Sequence, residues 1–315
     1  GDPTMTKIDD STFTLSLTKP FGLFVSYWAG NPTNVMPKEI ASALDEADIN
    51  TDFTGSGPFA FESWMPGNKV VLSRYDGYVS RAGPKDGAAG ARIVNVDFLE
   101  YLEVPDPASR VAALQTGQGD FSEAIPSDFL KMLQDIEGVR VELIPGWAVP
   151  FLATNKLYPP LTSPKSRQAL VLATDPEEYL RAGYGPPEMW TMCPDLFMCN
   201  GSWPSKVGDE IYRAPVDMVK ATSLWNEAVE ETGFDGKMIL LTNTDFADFY
   251  ADAQITRRIL QDFGAEVDFV VTDWATVISR KVGNLHKDPA DGGWHFYQSW
   301  GEAWDPIQDS RLGTT

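Results

Sequence analysis

The chain of 315 residues is predicted to be an α/β protein of two lobes, a β-rich lobe over residues 1–147 and an α/β lobe over residues 148–315. Its length corresponds to roughly two domains. β-branched and aromatic runs around turn residues dominate the first half, and strand patterns alternate with amphipathic helical patterns after residue 155. Such alternation indicates a largely parallel sheet in the second lobe.

The elements of the first lobe are predicted from composition and turn residues. In chain order they are two strands within residues 12–29, a helix at 37–44, a hairpin at 58–76, a β-rich run at 91–104 and a helix at 106–117. The hairpin follows from alternating apolar residues on both sides of Met-Pro-Gly-Asn at 65–68. Gly117 stands where a glycine ends a helix.

The elements of the second lobe are predicted from hydrophobic periodicity. After a strand at 139–144, which still belongs to the first lobe, they are a strand at 148–154, helices at 164–173, 215–232 and 247–263, and strands at 237–243 and 265–271. In the helix at 215–232, Trp225 and five other apolar residues share one face. Because residues 145–155 look like strand rather than flexible linker, we expect a hinge between the lobes.

Charge excludes some partners. The chain has 45 Asp and Glu against 25 Lys and Arg, a net charge of −20. This charge repels nucleic-acid phosphates and anionic lipid surfaces, so no nucleic-acid or membrane-surface partner is predicted. Moreover, no apolar run approaches the roughly 20 residues that cross a bilayer.

The usual signatures of enzymes and metal sites are absent from the sequence. It contains two histidines, His286 and His295, and it lacks the zinc, phosphate-loop, dinucleotide and serine-hydrolase motifs. We therefore predict no metal site, no cofactor and no catalytic residue. A carboxylate-dependent hydrolase stays open as an alternative, because any pair among so many acids is a candidate for general acid and base. An interaction or chaperone module is a third alternative.

Four spaced segments carry a family resemblance. In chain order they are Gly-Ser-Gly-Pro-Phe at 55–59 continuing to Tyr78, Arg-Val-Ala-Ala-Leu-Gln-Thr-Gly-Gln-Gly-Asp at 110–120, Thr154 to Leu161 followed by Arg-Gln-Ala-Leu at 167–170, and residues 293–312 with Trp300, Gly301, Glu302 and Asp305-Pro306. In this order they resemble the bacterial extracellular solute-binding proteins of family 5, the dipeptide, oligopeptide and nickel receptors of ABC importers.

This resemblance implies a fold and a function. The implied fold is a two-lobed periplasmic-binding-protein-like fold of type II, with mixed sheets and flanking helices. The implied function is capture of a small solute, a peptide or a peptide-like or opine-like compound, and its delivery to the membrane permease of an ABC transporter. A monomer in the periplasm is expected, exported by a signal peptide outside this chain. Family members extend further at both ends, so both lobes are expected to be incomplete here.

The resemblance also suggests ligand-binding residues. Glu302 matches the acid that pairs with the ligand ammonium in peptide-binding members, and the alternative is a solvated loop acid. Trp300 and Trp304 flank it, and Tyr297 lies in the same aromatic segment. Trp147 lies where the chain is predicted to pass between lobes, with hinge packing as the alternative. Trp294 and Phe296 are assigned to the core, and Arg167 to a structural role.

Cys193 and Cys199 are the only two cysteines, six positions apart in a loop rich in Pro, Gly and Asn. We predict a disulfide between them, which is sterically possible and would accord with export to an oxidising compartment. Two free thiols are the alternative.

Overall fold

The computed structural model describes residues 3–22, 24–25, 35–43, 52–86, 89–123, 125–144, 148–193 and 214–301. The chain divides into two compact units, the first ending at Val104 and the second beginning at Pro105. The predicted lobe boundary at 147/148 refers to the lobes of the complete fold and stays a prediction.

The first unit consists mainly of antiparallel strands. Its elements are β1 Thr4–Lys7, β2 Phe13–Ser16, α1 Lys38–Ala43, β3 Phe59–Met65, β4 Lys69–Arg74 and β5 Phe98–Leu102. β1 pairs with β2, and β3, β4 and β5 form a second sheet in that order.

The predicted hairpin at 58–76 is confirmed as β3 and β4. Gly67 has a φ of 72°, a conformation that residues with a Cβ rarely adopt. The turn closes as the Asn68 amide donates to the Met65 carbonyl at 3.0 Å.

Two predicted strand regions in the first unit contain less strand than expected. The second strand within 12–29 does not form over its described residues, because the Phe24 amide donates to the Phe21 carbonyl and turns the chain. Of the β-rich run at 91–104, only Phe98–Leu102 pairs with a neighbouring strand. Composition favours extended backbone, but a strand also needs a partner for its hydrogen bonds.

The second unit combines helices with a four-stranded sheet. Its elements are α2 Pro107–Thr116, α3 Leu130–Gln134, β6 Val149–Thr154, α4 Pro164–Ala173, α5 Pro176–Tyr184, α6 Met218–Thr232, β7 Met238–Asn243, α7 Ala247–Asp262, β8 Val267–Thr272, α8 Trp274–Gly283 and β9 Phe296–Gly301. The predicted helices and strands after residue 148 are confirmed within a few residues at their ends. The predicted strand at 139–144 is wrong, because that segment has no strand partner among the described residues.

Local capping explains where several helices begin and end. In α2 the Asp106 side chain accepts from the Ser109 amide, and Gly117 ends the helix with a φ of 69°. Ser163 and Asp175 cap α4 and α5 in the same way, each followed by a proline.

The sheet has the strand order β6-β9-β7-β8. β7 runs parallel to β8 and β9, whereas β6 runs antiparallel to β9. The prediction of a largely parallel sheet thus holds for three strands and is corrected for β6. One face packs against α4, α6 and α7 around Trp225 and Leu240, and the other packs against α8 around Leu241 and Val277.

Helix α5 packs closely on α7 at a pair of acidic residues. A Cβ at Gly183 would lie 3.1 Å from Asp252 Oδ1 and 3.2 Å from Asp248 Cβ, so glycine permits the approach. The Tyr184 hydroxyl donates to Asp248 Oδ2 at 3.1 Å. Asp252 is 2% exposed, and its Oδ1 has no hydrogen-bond partner. Burial, aided by the charge of Asp248, raises the pKa of Asp252 to about 8.

We predict that Asp252 makes stability depend on pH. Its folded-state pKa lies above the unfolded one, so the carboxyl costs nothing below about pH 4, and the free energy of unfolding falls as pH rises from about 4 to about 8. Asp252→Asn should therefore raise the free energy of unfolding at about pH 8, by on the order of 2–5 kcal/mol, and less at about pH 5. Urea unfolding at both pH values measures this. Asp235→Asn, at an exposed acid, is the control, and an equal gain for Asp252→Asn at both pH values would contradict the prediction.

Candidate functional site

At one edge of the second unit's sheet, three strands end and the fourth begins. Because β7, β8 and β9 are parallel, Asn243, Thr272 and Gly301 end at this edge. β6 begins here, since Val149 pairs with Gly301. In open α/β sheets, ligands bind outside the carboxyl ends of the strands. We call this region the carboxyl edge.

Trp300 is the predicted site residue that the described chain places at the carboxyl edge. It is the second-last residue of β9 and pairs with Pro150. Its ring centroid lies 6.3 Å from that of Phe249 in α7. The side chain is half-buried, and so it combines a fixed position with a partly accessible surface.

Three other predicted site residues, Glu302, Trp304 and Trp147, lie outside the described residues. The chain leaves β9 for Glu302 directly after Gly301, and it enters β6 two residues after Trp147. Their roles stay predictions.

Tyr297 is packed inside the unit. It is the second residue of β9 and is 9% exposed, with its ring centroid 5.0 Å from that of Trp294 and 6.4 Å from that of Phe151. A ligand contact at Tyr297 stays a prediction. The assignment of Trp294 and Phe296 to the core is confirmed, since they are 5% and 0% exposed.

Three aromatic residues at the carboxyl edge were not anticipated. Phe246 and Phe249 lie at the start of α7 and Trp274 begins α8, and their ring centroids are 5.1 to 5.8 Å apart. With Trp300 they form what we call the edge aromatic cluster. Phe246 and Trp274 each stand three residues after a predicted strand, where a parallel sheet binds ligands, but only the fold brings the two segments together.

Two acidic residues, Asp245 and Asp273, adjoin the cluster at the start of α8. Asp245 Oδ2 accepts from the Trp274 amide at 2.7 Å, which ties the loop after β7 to the start of α8. Asp273 caps α8 by accepting from the Thr276 amide at 2.8 Å. Its hydrogen bonds to Thr276, the side chain first, lower the pKa of Asp273. The edge thus presents aromatic rings and carboxylates, which suit a group with positive charge.

Other motif residues support the fold instead. The Asn155 side chain donates to the carbonyls of Leu285 and Trp294, which joins β6 to the segment before β9. Arg167 donates to the carbonyls of Leu161 and Ser163, which confirms its structural role. His295 Nδ1 accepts from the Ile239 amide at 2.9 Å, and burial lowers the pKa of His295 to about 4.

The described residues contain neither a metal-binding cluster nor a membrane-spanning helix. They contain no group of three or more His, Cys, Asp or Glu side chains placed to hold a metal ion. No helix within those ranges is long and apolar enough to span a bilayer. They also contain no free cysteine, and since Cys199 lies outside them its pairing with Cys193 stays a prediction.

Comparison with known proteins identifies relatives across nearly the whole chain. The family model described as bacterial extracellular solute-binding proteins, family 5 Middle, matches residues 1–313. A probable peptide ABC transporter periplasmic-binding protein, y4tO of Sinorhizobium fredii, is 32% identical over 303 residues, 93% of this chain and 55% of that protein. The glutathione-binding protein GsiB of Pectobacterium atrosepticum is 25% identical over 298 residues, 93% of this chain and 53% of that protein.

Solved structures share the fold. The binding protein AgaA from A. tumefaciens R10, in complex with agropinic acid, has a TM-score of 0.74 at 20% identity, covering 97% of this chain and 57% of that one. DppA from Helicobacter pylori, in complex with the peptide STSA, has a TM-score of 0.71 at 19% identity, covering 98% and 56%. They confirm the predicted type II fold class. The chain spans a little over half the length of these proteins.

We predict that Asp245 stabilises the start of α8. Asp245→Ala removes the acceptor of the Trp274 amide and should lower the free energy of unfolding by about 0.5–2 kcal/mol, as loss of a helix cap does. Hydrogen exchange of the peptide covering residues 272–280 should accelerate. Asp245→Asn, which keeps a side-chain oxygen, is the matched control. Unchanged exchange in Asp245→Ala would contradict the role of this bond.

Proposed function

Since the chain belongs to the bacterial extracellular solute-binding proteins of family 5, we propose that the whole protein is the substrate-binding component of an ABC importer. It captures a small solute between two lobes and delivers it to the membrane permease. The observation that carries the proposal is the family match over residues 1–313 together with the aromatic and acidic carboxyl edge. Because ligand contacts stabilise the closed state more than the open one, solute binding shifts the lobes towards closure.

The solute class is a peptide or a peptide-like or opine-like compound. Relatives are named for peptides and glutathione, and one similar structure holds agropinic acid. These ligands combine carbonyl oxygens with charged ends. Isothermal titration of the full-length protein with glutathione, agropinic acid, the dipeptide Met-Leu and the peptide STSA tests the class. We call these four compounds the ligand panel.

The binding residues that we propose are Glu302, Trp300, Trp304, Trp147 and Tyr297. Of these, Trp300 lies at the carboxyl edge, and the chain continues from that edge into Glu302. A carboxylate beside aromatic rings holds an ammonium group through a charge-assisted hydrogen bond and ring electrostatics.

We predict that Glu302→Gln weakens binding of a cationic solute. The change keeps the shape and removes the charge, so affinity should fall roughly tenfold to a hundredfold, which corresponds to about 1.5–3 kcal/mol. Calorimetric titration with the panel member that binds the wild-type protein measures the loss. Glu230→Gln, at an exposed acid of α6, is the control. Unchanged affinity for a solute with an ammonium group would remove Glu302 from the site.

The protein is proposed to act without catalysis, since the relatives are named as binding proteins of transporters. The alternative hydrolase would turn over a bound panel member, and mass spectrometry of the ligand after prolonged incubation distinguishes the two. A monomer is proposed, which size-exclusion chromatography with light scattering tests.

Export to the periplasm is proposed together with a Cys193–Cys199 disulfide. The family is extracellular by its description, and so oxidising conditions accord with such a bridge. In the exported protein, both cysteines should react with an alkylating reagent only after reduction, and the unreduced mass should be lower by two hydrogen atoms. Alkylation of the denatured protein without reductant would contradict the bridge. The Cys193→Ser, Cys199→Ser double variant is the control that takes up no label.

A further inference from the structure

Asn243 closes β7 at the carboxyl edge and carries a donor without an acceptor. The residue is 0% exposed, and its side-chain Nδ2 is buried with no hydrogen-bond partner. Its Oδ1 accepts from the Phe246 amide at 3.0 Å. A buried donor left unpaired lowers the stability of the fold by about 1–3 kcal/mol, so a native protein rarely keeps one without a functional reason.

The orientation of the carboxamide follows from chemistry. A backbone N–H only donates, so the atom facing Phe246 is the oxygen and the remaining group is the NH₂. An Asp or Ser would supply the same oxygen to the start of α7. What Asn adds at this position is the donor itself.

The surroundings of the donor define what it can bind. α7 has 16 residues and begins after Phe246 without a side-chain cap, directly beside this carboxamide. Asp245 and Asp248 flank the same turn, and their carboxylates oppose an anionic ligand group. An uncharged acceptor oxygen meets the need of the NH₂ group without this repulsion.

We propose that Asn243 Nδ2 donates a hydrogen bond to an uncharged carbonyl oxygen of the bound solute. The inference rests on the proposed function and names a contact within it, the amide-type carbonyl that peptides carry. Because Asn243 is 0% exposed, the proposed contact requires that neighbouring side chains at the carboxyl edge move when the solute enters. Formation of this bond removes the cost of the unpaired donor and so favours the bound state.

Two variants of the full-length protein test the contact, each titrated with the ligand panel. Asn243→Ser and Asn243→Asp both keep an acceptor for the Phe246 amide and remove the donor. Affinity for Met-Leu and for the peptide STSA should fall tenfold or more in Asn243→Ser. It should fall further in Asn243→Asp, because a carboxylate oxygen would then face the carbonyl oxygen.

Controls separate this contact from stability and from the proposed function. The melting temperature of unliganded Asn243→Ser should equal or exceed that of the wild type, because an unpaired donor is removed. Asn284→Asp, which loses a donor bound to the Gly292 carbonyl, should leave affinity unchanged. Wild-type affinity in a folded Asn243→Ser variant would overturn the contact while leaving the proposed function intact. Failure of the wild type to bind any panel member would instead overturn the proposed function for these solutes.

Discussion

The pairing of β9 with two neighbours is the constraint on which the second unit depends. Phe296–Gly301 bonds to β6 on one side and to β7 on the other, and residues 296–299 are all buried. Without β9, β6 would have no strand partner among the described residues, and β7 would keep only β8. The two apolar clusters are also joined through this strand, since Phe296 packs on one face and Tyr297 on the other.

Alternate residues of β9 fix α7 against the sheet in three different ways. Phe296 packs into the apolar core, Gln298 donates to Thr256 Oγ1 at 2.6 Å, and the Trp300 ring lies against Phe249. Thr256 is in turn bonded to Tyr179 of α5 at 3.0 Å, so the polar contact extends to a second helix. These contacts set where α7 begins, and with it the positions of Phe246 and Asn243. The packing behind the carboxyl edge thus positions the backbone from which the edge side chains extend.

Local signals in the sequence predicted what depends on near neighbours. The hairpin followed from the residues around Gly67, and helix ends followed from Asp106 and Gly117, because turns and caps involve residues a few positions apart. The antiparallel orientation of β6, and the absence of a strand partner for residues 139–144 in the described chain, depend on which segments meet in space. Hydrophobic periodicity does not encode such pairings. The same holds for the site. Trp300 was proposed from a motif, whereas Phe246, Trp274 and Asn243 become neighbours only when α7 and α8 start at one edge.

The strand order has a consequence for the time course of synthesis. The ribosome makes the chain from its amino end, and the strand that belongs between β6 and β7 is the last of the four to be made. Until residues 296–301 are available, β6 has no partner in this sheet. More than 140 residues separate β6 from β9 along the chain, so the apolar side chains of β6 stay unpaired while these residues are made. Closing so long a separation is slow and leaves unpaired strands exposed meanwhile. The second unit is thus expected to reach its native sheet only after translation of β9, which makes the unfinished chain a natural client for factors that shield unpaired strands.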